Sequence, residues 1–149
     1  LESQGTTTSG VVSFAQRLEE RSELFYEKLC EQFPSQADLF HVFAHEDKLN
    51  KVLVTRTYQE TVTDALETGY SFEGLNLNGI IPNDVWADHP DLPGSIEGAI
   101  LLEQAAASFY ADIAGRSEML LSTIYTAFKK IEGVRRKRLP KLESLRWPE

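Results

Sequence analysis

Leu18-Glu19-Glu20-Arg21-Ser22-Glu23-Leu24-Phe25-Tyr26 recurs as Leu102-Glu103-Gln104-Ala105-Ala106-Ala107-Ser108-Phe109-Tyr110. The Leu-Glu pair and the Phe-Tyr pair keep their spacing in both copies. Downstream, Phe43-Ala44-His45-Glu46-Asp47-Lys48-Leu49-Asn50 recurs as Phe128-Lys129-Lys130-Ile131-Glu132-Gly133-Val134-Arg135, with one residue of slack between the two registers. Two similar helical hairpins, each with acids at matching places, predict a four-helix bundle with carboxylates at its centre.

The helix signals divide the chain into one domain spanning 1–149. Residues 1–8 are polar and are expected to fray. A first helix is expected over about 11–32, capped by Ser9 or Ser13 and stopped before Pro34. A second is expected over about 36–68, where no Pro or Gly intervenes, with Gly69 as its cap. A third is expected over about 96–114, opened by Ser95. A fourth is expected over about 117–139, opened by Ser117 and ended or kinked at Pro140. The stretch 69–95 mixes Gly and Pro with Leu75, Leu77, Ile80, Ile81, Val85 and Trp86. It reads as a crossover that packs on the bundle. At about 3.3 Å per residue it is long enough to let the third helix run parallel to the second.

Composition bounds the function. With 149 residues, 42% hydrophobic and 26% charged, the chain is globular and can bury a core. No apolar run has the length of a membrane span, so no membrane partner is expected. The net charge of -8 argues against nucleic acid. Cys30 is the only cysteine, so an intrachain disulfide is excluded and a cytoplasmic setting is expected. Lys129, Lys130, Arg135, Arg136, Lys137, Arg138 and Lys141 form a basic cluster. It reads first as a solvated helix end favoured by the dipole, and second as a surface for an anionic partner.

Helical spacing places Glu103 in the stripe of Ala99, Ile100, Ala106, Ala107 and Tyr110, and Glu19 in that of Ala15, Ser22 and Tyr26. Asp47 follows Phe40 and Phe43, and Glu132 follows Tyr125 and Phe128. Each helix is thus expected to turn one acid inward. Four buried acids cannot all ionise without compensating cations, which leaves metal ions, protonation or basic side chains. Tyr26 and Tyr110 stand two turns beyond Glu19 and Glu103, where each could donate to a carboxylate or simply pack. His41 and His45 have helical metal-pair spacing but lie on another face, and read as exposed.

These residues resemble the rubrerythrin branch of the ferritin-like superfamily, over roughly Phe14 to Leu139. The resemblance implies a ferritin-like bundle of two hairpins joined by a long crossover. It implies a di-iron site in which the first and third helices each give a Glu and the second and fourth each give a Glu-x-x-His pair. Glu19, Glu103 and Glu132 match that pattern and Asp47 matches it one methylene short. The two histidine positions hold Asn50 and Arg135. Ala106 and Ala107 follow Glu103 where such proteins carry a further glutamate, and the four-cysteine electron-donor tail is absent. Asn50 is a poor ligand for iron, and Arg135 is permanently charged and cannot ligate a metal. The expectation is therefore a degenerate site without a cofactor, in which Arg135 pairs with Glu132 and with Glu19 or Glu103. The alternative turns Arg135 outward and leaves Glu19, Asp47, Asn50, Glu103 and Glu132 as an oxygen-rich site for Fe or Mn, in an oxidoreductase acting on peroxide or oxygen. A homodimer is expected in either case. The tail from Leu142 is expected to dock on the bundle or on a sister subunit.

Overall fold

A computed structural model of the chain describes residues 6–61, 71–119 and 121–146. Its elements are β1 (Thr6–Thr7), α1 (Thr8–Gln32), α2 (Ala37–Thr61), β2 (Ser71–Phe72), α3 (Leu92–Ser117) and α4 (Ser122–Arg146), with 3-10 turns at Pro34–Gln36 and Asn83–Trp86. Apart from the two-residue pairing of β1 with β2, the described architecture is an all-helical bundle. The expected end of the second helix, 62–68, and its Gly69 cap lie outside the described residues.

The helix starts differ from the expected ones for identifiable reasons. Thr7, not Ser9 or Ser13, caps α1, its hydroxyl accepting from the Gly10 N–H at 3.0 Å. Pairing of Thr7 with Ser71 holds Thr7 extended, the backbone state a cap requires. Asp91 opens α3 ahead of Ser95, accepting from Gly94 N–H at 2.8 Å, with Pro93 in the first turn. Ser117 closes α3 instead of opening α4, and its buried hydroxyl donates to Ile113 O at 2.7 Å. Helix α4 runs through Pro140 to Arg146. Pro140 and Arg136 both sit on the exposed side, so the carbonyl that loses its amide partner faces water. Leu142 on the inner side is fully buried, and Arg146 reaches Glu97 at 2.8 Å, which together hold the tail on α3.

Side-chain pairings give the directions. Gln16 meets Thr55 and Ser22 meets Asp47, so α1 and α2 are antiparallel. Glu103 meets Arg135 and Glu97 meets Arg146, so α3 and α4 are antiparallel. Phe14 stacks near Phe109 and Tyr26 bonds Glu103, so α1 also opposes α3. Helix α3 therefore runs parallel to α2. The crossover that makes this possible packs inward through Phe72, Ile81 and Val85, all buried. His89 in that crossover lays its imidazole on Gly98 of α3, where an added Cβ would sit 3.0 Å from Nε2, so a larger residue there would require the His89 ring to shift. His41 and His45 are exposed on α2. Cys30 is half-buried and donates to Ala37 O, tying α1 to the start of α2.

Candidate functional site

The centre of the bundle holds charge. Glu19 and Ser22 from α1, Asp47 and Asn50 from α2, Glu103 from α3, and Arg135 and Arg138 from α4 are all buried, with Tyr26 and Tyr110 beside them. Each belongs to the inward stripe of its helix, so regular helical geometry alone delivers them to one place.

Arg135 stands between the acids. Its Nη2 donates to Glu19 Oε1 at 2.8 Å, and its Nη1 reaches both Glu103 oxygens at 3.0 Å and Ser22 Oγ at 3.1 Å. Arg138 donates through Nη1 to Glu103 Oε2 at 3.0 Å and through Nη2 to the Phe43 carbonyl at 3.1 Å. Its Nε reaches Glu46 at 3.2 Å, at the edge of the cluster, and its guanidinium centre lies 4.9 Å from the Phe43 ring centroid. Asp47 Oδ1 is 2.8 Å from Arg138 Nη2 and 3.3 Å from Arg135 Nη2, but off hydrogen-bond alignment. Ser22 Oγ donates to Asp47 Oδ2 at 2.5 Å, and Asn50 Nδ2 donates to Glu19 Oε1 at 3.2 Å.

The tyrosines cross over. Tyr26 of α1 donates to Glu103 of α3, and Tyr110 of α3 donates to Glu19 of α1, each at 2.5 Å. The internal repeat thus appears in space as a reciprocal pair of phenol–carboxylate bonds. Both rings also pack, Tyr26 against Phe43 and Tyr110 against Phe128, so the two roles weighed from the sequence coexist.

Charge states follow from the competition between burial and neighbours. Burial alone would raise the Glu103 carboxyl, but Arg135 and then Arg138, aided by the Tyr26 bond, hold it below the usual range. Asp47 goes the other way. Burial raises it to about 7 against the lowering pull of Arg135 and Arg138, with Glu19 and Glu103 adding repulsion. Burial opposes the charge on both arginines, yet the surrounding carboxylates hold them as firm cations. Burial, and then Glu103 for Tyr26 and Glu19 for Tyr110, keep both phenols neutral. Three inward carboxylates face two guanidiniums, and the excess negative charge is relieved at Asp47, the acid that keeps its proton to the highest pH.

That assignment predicts a pH dependence. Asp47 binds its proton more tightly in the folded chain than unfolded, where its ordinary value is 3.8. Its contribution to stability is therefore complete below that value, declines as pH rises towards about 7, and is level above. Urea unfolding of the protein and of Asp47→Asn across this range should give a difference in unfolding free energy that falls by up to about 1.4 kcal/mol per pH unit at its steepest. A difference that rises with pH would contradict the assignment.

Glu132 corrects the expected ligand set. It does not join Glu19, Asp47, Asn50 and Glu103, and Arg135 does not pair with it. It lies on the flank of α4, 2.8 Å from Arg136 Nε and 3.4 Å from Lys129 Nζ. The buried stripe of α4 is Ile124, Phe128, Ile131, Arg135, Arg138 and Leu142. Ile131 holds the inward position that the repeat gave to Glu132. Arg136 then binds Glu132 and, with Lys129, holds its carboxyl below the usual range. The basic cluster needs a second correction: Arg135 and Arg138 are core residues, not part of a solvated helix end. Arg138 was missed, although its spacing of three from Arg135 and four before Leu142 places it on the inward stripe.

The di-metal group implied by the resemblance does not fit these side chains. An ion among Glu19, Asp47 and Glu103 would need the positions held by guanidinium nitrogens, and the Asn50 amide presents its NH2 to Glu19. Among the described residues no three His, Cys, Asp or Glu side chains are grouped to hold an ion. No described helix is long and apolar enough to cross a membrane.

No family model, curated protein or solved structure matches this chain.

Proposed function

We propose that this protein is a non-catalytic scaffold of ferritin-like, rubrerythrin-type design, in which an arginine–carboxylate network stands where related bundles hold two metal ions. The observation that carries the reading is the placement of Arg135 and Arg138 within 2.8–3.3 Å of Glu19, Asp47 and Glu103. Two fixed cations supply the compensation that metal ions would otherwise give, and they can neither exchange ligands nor change oxidation state. The up-down-down-up helix order and the repeated Glu-Tyr pairs support the ferritin-like assignment. The bundle is then a framework whose activity resides in its surfaces.

The same reading makes it a cytoplasmic homodimer. Support for pairing comes from the outer face of α2, where Val42, Leu49 and Val52 are about half exposed. Asp38 and Arg56 flank that stripe at opposite ends, so two copies laid antiparallel would match acid to base.

Elemental analysis tests the proposal. Protein expressed with iron and manganese supplied, then desalted, is expected to carry far less than one ion per chain, and light scattering on the same sample is expected to give twice the chain mass. About two ions per chain retained against a chelator would overturn the scaffold reading and favour peroxide or oxygen chemistry.

A further inference from the structure

A cavity of about 290 Å³ lies between α1 and the crossover. Its floor is apolar: Leu18 and Ile81 are buried there, with Phe14 and Trp86 partly so. Its rim is polar and carries one sign of charge. Arg17 and Arg21 stand one helical turn apart on α1, and Asn78 and Asn83 face them from the crossover. The chain has 23 acidic against 15 basic residues, yet no carboxylate lines this cavity.

Like Arg56, neither arginine has a carboxylate partner among the described residues, whereas Arg116, Arg135, Arg136, Arg138 and Arg146 all have one. Arg21 is positioned by stacking instead, with its guanidinium centre 4.2 Å from the Trp86 ring centroid. Trp86 is in turn braced edge-on by Phe25 at 6.2 Å. Stacking leaves the in-plane N–H fork of Arg21 free to bind an oxyanion, and Arg17 brings a second fork alongside. The crossover side is also shaped. Gly79 takes a φ of +79°, which non-glycine residues rarely adopt, and Asn78 N–H is fixed by Asn76 Oδ1 at 3.0 Å. An apolar floor beneath a few convergent polar groups is the arrangement that holds and orients a small amphipathic molecule.

We propose that this cavity binds a small organic oxyanion, a carboxylate or phosphate carried on a flat apolar body. The oxyanion bridges Arg17 and Arg21, and the body lies on the floor beside Trp86. The site is separate from the buried network, so it stands or falls independently of the scaffold reading.

The chain has two tryptophans, so Trp147→Phe leaves Trp86 as the only fluorophore of its kind. In that background benzoate, phenyl phosphate, neutral benzamide and inorganic phosphate are titrated at low salt. Saturable change in Trp86 emission is expected with benzoate, phenyl phosphate or both, and the tighter of the two identifies the headgroup. Benzamide and inorganic phosphate are expected to bind at least about tenfold more weakly. Arg17→Gln and Arg21→Gln should each weaken the aryl anion by about tenfold or more, with melting temperature unchanged because both side chains are exposed. Lys137→Gln, which removes an exposed cation of α4 that does not line the cavity, should leave binding intact. The proposal is overturned if neither aryl anion saturates, if benzamide or inorganic phosphate binds as tightly, or if the Arg17 and Arg21 variants retain affinity.

Discussion

Replacing Arg135 with alanine is expected to lower the unfolding free energy by about 3–5 kcal/mol, the usual cost of stranding buried partners of a removed charge. The change deletes donors to Glu19, Glu103 and Ser22 at once. It leaves three inward carboxylates facing Arg138 alone. Burial then raises the carboxyls without an adequate opposing cation, and at neutral pH the chain must take up protons or admit water. A domain of this size has only about 5–15 kcal/mol to lose. Urea midpoints read the effect directly. Arg135→Lys distinguishes charge from geometry: it keeps the cation but cannot span Glu19 and Glu103 with one planar fork, so an intermediate loss is expected. A loss below about 1 kcal/mol for Arg135→Ala, typical of an exposed ion pair, would contradict the central placement of this side chain.

Glu103→Gln is expected to have the second largest effect, about 3 kcal/mol or more. The carboxylate accepts from Arg135 on both oxygens, from Arg138 and from Tyr26. An amide offers one acceptor oxygen to the same donors and turns an NH2 group against the rest. The substitution is nearly isosteric, so the loss reads electrostatics and hydrogen bonding more than volume. Glu132→Gln supplies the contrast. The sequence repeat sets Glu132 in the register of Asp47 and so expects it inward like Glu103, but Glu132 pairs only with exposed Lys129 and Arg136, and its replacement should change stability by no more than about 0.5 kcal/mol. Equal effects at the two positions would mean that Glu132 also faces inward.

Much of the architecture is legible in the sequence. The Glu-Tyr repeat announced two hairpins, and helical spacing brought Glu19, Asp47, Asn50, Glu103 and Arg135 to the core. Apolar residues between the glycines and prolines of the crossover foretold its packing. Helix ends were less legible. Asp91 is a better cap than Ser95 once Pro93 is accepted in the first turn, and Pro140 stops no helix because its cost falls on the solvent side. Arg138 was obscured by its basic neighbours. A run of charge suggests a wet face, and only the phase set by Phe128, Ile131 and Leu142 separates the inward arginines from Arg136 and Lys137.

By itself the sequence determined the helical class, the pairing of its hairpins and the presence of acids in apolar stripes, because each follows from local periodicity. The tertiary structure alone decided how those acids are compensated. Glu132 and Ile131 are one residue apart, about 100° around the helix, and which of them faces inward depends on how α4 rotates against three neighbours. Burying Ile131 brings Arg135 and Arg138 inward together. The two guanidiniums then meet Glu19, Asp47 and Glu103 from three other helices, a coincidence of long-range packing that no single segment encodes.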